Sequence, residues 1–139
     1  MTARPDYQKL SLIPVEHLRC HEQTIPGRVQ QVREQIEEEG EVDYPILVDS
    51  RYNVILDGHH RYTALKEMGV DKVPVVKVEY FQDGLVKLEA RKNCPKQPLT
   101  KQDVLRKGLS PKVFTPKSTR HTLRDPIVAE HVPLERLYE

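Results

Sequence analysis

Five consecutive residues, Asp57-Gly58-His59-His60-Arg61, set a carboxylate, a glycine, two imidazoles and a guanidinium side by side. Arg61 offers a planar fork of donors suited to phosphate, and the two histidines add further donors. Gly58 lets a ligand approach the backbone closely. Asp57 is placed to hold Mg²⁺ or a ribose hydroxyl. Together these groups suit a phosphate or a carboxylate. The competing reading is structural: Asp57 caps a helix, and the histidines satisfy nearby backbone groups.

The flanking residues say where the five must sit. Asn53-Val54-Ile55-Leu56 is a short apolar, β-branched run, predicted as a buried strand. Tyr62, Leu65 and Met68 recur at helical spacing, and Gly69 follows as a helix stop. The polar residues therefore fall on a strand-to-helix turn. There the first N–H groups lack partners and the helix dipole favours an anion.

Other elements must hold this turn in place. Residues 9–13 read as a strand, 14–18 as a single helical turn and 19–24 as a polar loop. Thr24 is placed to cap a helix with Pro26 in its first turn, Val29, Val32 and Ile36 as its apolar stripe, and Gly40 at its end. Residues 44–49 and 73–80 read as further strands, the second with Pro74 near its start, where proline is tolerated. Residues 50–53 suit a tight turn, and Asp83-Gly84 marks another ahead of a strand at 85–88. Residues 93–98 form a loop, and Thr100 to Asp103 has the form of a capping box for a helix through Leu109. The stretch 110–126, with three prolines and little periodicity, is expected as an ordered loop or arm. IPVEHL at 13–18 faintly echoes VPLERL at 132–137, too briefly to count as a repeat.

At 139 residues, 37% hydrophobic and 31% charged, the chain has the size of one domain that buries a core without staples. It lacks a run of about 18 apolar residues and a charged-then-apolar start, which argues against a membrane span or secretory leader. Cys20 and Cys94 form no CxxC pair, so no disulfide framework or zinc site is expected and a reducing, cytoplasmic setting is the default. Residues 1–90 carry 11 Lys and Arg against 16 Asp and Glu, whereas 91–124 carry 10 against one, Asp103. A basic segment on a mildly acidic body suits a nucleotide, another phosphorylated ligand or nucleic acid, although a merely solvated surface has the same composition.

The order of elements and the turn resemble the ParB/sulfiredoxin superfamily, a small α/β (α+β) fold with a short mixed sheet, flanking helices and a phosphate-binding turn. ParB proteins carry a GERR-type box where this chain reads GHHR, which disfavours a DNA-partitioning nucleotide hydrolase. Sulfiredoxins carry a cysteine where this chain has His59, and without the thiol their reaction has no nucleophile. A fuller resemblance is to the free L-serine kinases of the superfamily, many of which use ADP as phosphoryl donor. Three stretches carry it: LRCHEQT at 18–24, YPILVD at 44–49 with VILDGHHRYTALKEMG at 54–69, and LTKQDVLRKGLSPKVFTPKSTRH at 99–121.

That resemblance implies one domain, with a core over residues 1–90 and a basic segment, 91–139, packed on it and completing the substrate site. It implies phosphoryl transfer from ADP or ATP to free L-serine, giving O-phospho-L-serine for cysteine supply, with Mg²⁺ as cofactor. Glu22 becomes the base that removes the hydroxyl proton. Thr24, Asp57, Gly58, His59, His60 and Arg61 bind the nucleotide phosphates, Asp57 also the metal. Arg120 pairs with the serine carboxylate, and Thr119 and His121 hold its other polar groups. The bland alternatives are a surface carboxylate at Glu22, a simple cap at Thr24 and an exposed polar loop at 118–121. A monomer with no membrane partner is expected. The alternative function is a ParB-like nucleic-acid-binding protein with nuclease or nucleotide-hydrolysing activity, whose binding would weaken steeply with salt.

Overall fold

The computed structural model describes residues 5–138; residues 1–4 and 139, the outer ends of the two expected segments, lie outside the described residues. In chain order the elements are β1 (Leu10–Pro14), α1 (Pro26–Glu39), β2 (Glu41–Val42), β3 (Ile46–Asp49), β4 (Ile55–Asp57), α2 (His59–Glu67), β5 (Lys72–Val78), β6 (Val86–Ala90), α3 (Lys101–Gly108), β7 (Thr119–Leu123) and β8 (Val132–Pro133). Short 3-10 turns occupy Asp6–Gln8, Val15–His17 and Leu134–Leu137.

The four most apolar strands form one mixed sheet in the order β1-β5-β3-β4. β3 and β5 are parallel, and β1 and β4 flank them antiparallel. A parallel pair needs a long crossover, which β4 and α2 supply. Strand alternation then divides the core in two. Ile46, Val48, Ile55, Val73 and Val75 face Ile36 of α1 and Tyr62 and Leu65 of α2. Leu47, Leu56, Val76 and Val78 face the other way, onto Leu85, Val104 and Leu105. Both faces of the sheet are covered, which is why 46–48 and 73–76 read as nearly unbroken apolar runs. No helix among the described residues is long and apolar enough to cross a membrane.

Local signals account for most element ends. α1 stops at Gly40 in the left-handed region (φ 71). α3 starts on the expected capping box, with the Asp103 N–H donating to Thr100 Oγ1 and the Thr100 N–H to Asp103 Oδ2. It packs so close to the residue before β4 that a Cβ on Gly108 would lie 2.6 Å from the Val54 side chain. The echo between 13–18 and 132–137 is structural. Each is a strand ending in proline and running into a 3-10 turn. Both meet at Asp71, whose carbonyl accepts from the Val15 N–H and whose N–H donates to the Leu137 carbonyl.

Two expectations are corrected. Thr24 is not the cap of α1: Ile25 holds that position, with no side-chain cap bond. The expected arm at 110–126 contains a strand, β7, which pairs antiparallel with β6 and sets Thr119 opposite Ala90 and His121 opposite Leu88. Thr119, His121 and Leu123 are half-buried while Arg120 and Thr122 are exposed. An edge ribbon of polar and basic residues carries little of the apolar alternation by which strands are recognised.

Candidate functional site

β4 ends at Asp57, and Gly58 opens α2 in the left-handed region with φ 104. The backbone angle calls for glycine, and a Cβ there would also press on Arg61 Nη1 at 3.1 Å. Gly58 itself occupies the N-cap position without a side-chain cap bond, which removes the capping role for Asp57. The exposed Asp57 instead lines a cleft of about 300 Å³. Of the residues singled out in the sequence, all but Thr24 and Arg120 line it.

The two histidines of the turn tie it to the loop that carries Glu22. The backbone N–H of His21 donates to His59 Nε2 at 3.1 Å, and that of Ile25 donates to His60 Nε2 at 3.0 Å. A nitrogen that accepts carries no proton, so each neutral ring has its proton on Nδ1. Both tautomers are thus fixed by backbone, and both rings offer an N–H donor. Burial holds the His59 pKa well below its usual value, reinforced by His21, His121 and His60. Partial burial lowers His60 too, with Arg28 and Lys117 nearby. Both rings are therefore neutral at neutral pH. Arg61 supplies the positive charge on α2: burial lowers its pKa, Asp57 opposes that, and a guanidinium stays protonated throughout.

Glu22 faces this turn from a loop held on both sides. Its N-terminal flank bridges β4, where the Arg19 N–H donates to the Asn53 carbonyl and the Ile55 N–H to the Arg19 carbonyl. Around Glu22 itself, the Phe114 N–H donates to the His21 carbonyl and the Gln23 N–H to the Phe114 carbonyl, both at 2.8 Å. One carboxylate oxygen, Oε1, accepts three bonds: from Ser118 N at 3.0 Å, Thr119 N at 3.0 Å and Thr119 Oγ1 at 3.1 Å. All three lie on one oxygen, which leaves Oε2 for a ligand. This is no free surface carboxylate.

Behind Glu22 lies a layer of aromatic rings the sequence did not announce. His21 is fully buried, donates from Nδ1 to the Ile55 carbonyl at 2.6 Å and meets Thr119 Oγ1 through Nε2 at 2.9 Å. Its ring sits edge-on to His59, centroids 4.6 Å apart, and to His121 at 5.5 Å. Burial pushes His21 down to about 4 and His121 to about 3, the latter aided by His21. The Tyr80 hydroxyl stays protonated because burial raises its pKa, and it shares a hydrogen bond of 2.7 Å with His121 Nε2. Nδ1 of His121 faces the Leu56 carbonyl, too poorly aligned for a strong hydrogen bond.

Three cations missed in the sequence complete the cleft: Arg28 from α1, Arg91 just after β6 and Lys117 just before β7. Only the pairing of β6 with β7 brings the last two together. Both also line an adjoining cleft of about 570 Å³, and there Arg120 is found with Lys92 and Asn93. Arg120 thus lies beside the first cleft, not in it, because consecutive strand residues point to opposite faces.

No protein-family model matches the chain. In sequence it is 43% identical over 79 residues to a protein of Staphylothermus marinus named ATP-dependent L-serine kinase, covering 53% of this chain and 31% of that one. It is 40% identical over 80 residues to the ATP-dependent L-serine kinase SbnI of Staphylococcus aureus, covering 55% of this chain and 31% of the relative. The chain therefore spans a minor part of these curated relatives' length. In fold it is similar to a free serine kinase solved in complex with AMP, with a TM-score of 0.83 over 93% of both chains at 17% identity. The mixed α/β architecture is that of the serine kinase structure, and sequence and fold agree on the group of proteins this chain resembles.

Proposed function

We propose that this chain is a phosphotransferase that moves a phosphoryl group from an adenine nucleotide to the hydroxyl of free L-serine. The observation that supports this reading best is Glu22, clamped through one oxygen by Ser118 and Thr119 and facing the His59-His60-Arg61 turn across one cleft. A base must be held rigidly and keep one oxygen free, and this arrangement does both. In the reaction the serine oxygen bonds to phosphorus. The bridging P–O bond of the donor breaks and leaves its electron pair on the nucleotide. The hydroxyl proton passes to Oε2 of Glu22.

His59, His60 and Arg61 would direct N–H groups at the phosphoryl oxygens, where charge gathers during transfer. Asp57 fits a role in holding Mg²⁺: its carboxylate is exposed on the cleft and is not spent on capping α2. Mg²⁺ is commonly held by one or two carboxylates together with substrate phosphates, whose charge it offsets when bound. For the serine carboxylate, Arg91 and Lys117 border both clefts, with Arg120 beyond them. Thr24, which neither caps α1 nor lines the cleft, has no part in this reading.

The nucleic-acid alternative is less favoured, since several cations of the basic segment have local partners. Lys96 and Arg106 pair with Asp103, Arg124 pairs with Asp125, and Lys101 donates to the Tyr80 carbonyl. Arg28, Arg91, Lys117 and Arg120 instead line the two clefts.

The test is incubation with Mg²⁺, serine and either ADP or ATP, with O-phosphoserine read by mass. AMP as co-product identifies ADP as donor, and ADP as co-product identifies ATP. Glu22→Gln retains an oxygen for the three donors and loses the base. Its turnover is expected to fall about 10²- to 10⁴-fold with the fold intact. No product from either donor, with salt-sensitive DNA binding instead, overturns the reading.

A further inference from the structure

The Thr119 hydroxyl has one proton and two acceptors. Oγ1 lies 3.1 Å from Glu22 Oε1 and 2.9 Å from His21 Nε2. The His21 end of this contact can be assigned. Nδ1 lies 2.6 Å from the Ile55 carbonyl, which only accepts, so Nδ1 carries the proton. Burial keeps the ring neutral, with a pKa near 4, and Nε2 is then a bare lone pair. Glu22 Oε1 already has the Ser118 and Thr119 N–H groups. The hydroxyl is therefore contested, in a position with backbone support on both sides.

We propose that the Thr119 hydroxyl is a two-position switch, donating to Glu22 while the carboxylate is ionised and turning to Nε2 of His21 once Glu22 has taken up a proton. His21 is then a positioning residue that acts on the base through Thr119. The inference rests on the reading of Glu22 as the group that accepts the serine proton. Each bond donated to a carboxylate favours its ionised form and weakens it as a base. An acid carbonyl is a poorer acceptor than a carboxylate oxygen, so a hydroxyl bound only to Glu22 would lose much of its bond when the proton arrives. Nε2 of His21 gives the hydroxyl another partner at that moment. The clamp then holds Glu22 in place without weakening it as a base by the full strength of a third donor.

Other groups face the same cleft. Arg28, Arg61, Arg91 and Lys117 bring positive charge and Asp57 negative, while His59, His60 and His121 are neutral. They set the baseline and are common to every variant below, so differences between variants isolate the switch.

The experiment follows the Glu22 carboxyl by ¹³C NMR across pH in the full chain, without substrate. Thr119→Val removes the donor, and the titration midpoint should move up. His21→Asn keeps an amide N–H for the Ile55 carbonyl and removes Nε2, and the midpoint should move down. Each shift should approach about one unit, a tenfold change in proton affinity. His21→Gln, whose amide reaches toward the Nε2 position, should restore much of the loss. In the double variant the His21 change should have no further effect. Equal-sign shifts in the two single variants, or a His21 effect that persists without the hydroxyl, overturn the switch.

If His21→Asn fails to fold, the ¹⁵N spectrum of the unaltered protein still decides. A neutral His21 ring protonated on Nδ1 is required, and a proton on Nε2 refutes the proposal. The acid limb of the pH profile of kcat should follow the NMR midpoints. Midpoints that shift as expected in a protein that makes no O-phosphoserine would sink the kinase reading alone. Turnover of serine with unmoved midpoints would sink the switch alone.

Discussion

His21 and His131 are the same side chain in opposite settings. His21 has no exposed surface, and its two ring nitrogens and its own N–H each lie within hydrogen-bond distance of a partner, the Ile55 carbonyl, Thr119 Oγ1 and His59. His131 stands at the surface, 62% exposed, with Nδ1 at 2.9 Å from Glu41 Oε2 and 3.1 Å from Asp43 Oδ1. Burial lowers the first, while hydrogen bonding to Asp43 and the charge of Glu41 raise the second. Around the cleft, then, histidine serves as a neutral donor and acceptor of fixed tautomer. At the seam between β2 and β8 its neighbours favour the charged form. A neutral ring keeps its geometry only while it stays neutral, so the cleft and the seam should respond to pH with opposite sign.

The largest effect should come from acid. Below pH 6.5 the unfolded chain binds protons that folded His21, His59 and His121 refuse. Stability should fall as pH drops from 6.5 through about 4, where His21 itself titrates, and on toward about 3 for His121. The summed loss is on the order of several kcal/mol. Carboxylates contribute in the same direction, so the decisive quantity is the slope. Urea unfolding of His121→Phe should show lower stability at neutral pH and a flatter decline below it. An unchanged slope would break the comparison, because the buried rings would then not be neutral in the folded state.

These two settings were not equally legible. The phosphate turn was readable because its information is local: an apolar strand, a glycine and a helical repeat occur within seventeen residues, 53–69. The same holds for the α3 capping box and for Gly40. Thr24 misled because its residue type suits a cap, whereas the Ile25 N–H is satisfied by His60, thirty-five residues away in sequence. Arg120 was displaced to the adjoining cleft for a different reason. Thr119-Arg120-His121 was treated as one cluster, but a strand splits it, and only the pairing of β7 with β6 shows that it is a strand. Arg91 and Lys117 enter the cleft, and His21 packs behind it, through tertiary contacts alone. Lone histidines and cations in loops carry no spacing signal that sets them apart from surface residues.

The next effect in size separates two neighbours on α2. His59→Leu leaves the buried His21 N–H without an acceptor, a cost of about 1–3 kcal/mol, and loosens the loop that carries Glu22. His60→Leu removes the acceptor of the Ile25 N–H, but that bond is exposed and water can replace it. Thermal unfolding should show a clear drop for the first and a shift within about 0.5 kcal/mol for the second. Turnover should fall in both, since each ring offers the cleft an N–H. Equal destabilisation by the two would mean that burial is not what gives His59 its weight.

The smallest effect is expected at the seam, and its sign is what matters. His131 has a raised pKa, so its contribution is fully present below 6.5 and is lost as pH rises through the raised value. His131→Gln should melt slightly below the unaltered protein in mildly acidic buffer, converge with it in alkaline buffer, and converge at any pH in high salt, which screens exposed pairs. Turnover should not change, because no residue of the seam lines the cleft. A melting difference that instead grew with pH would place a neutral His131 in a role like that of His21, and the contrast between buried and exposed rings would no longer explain their charge.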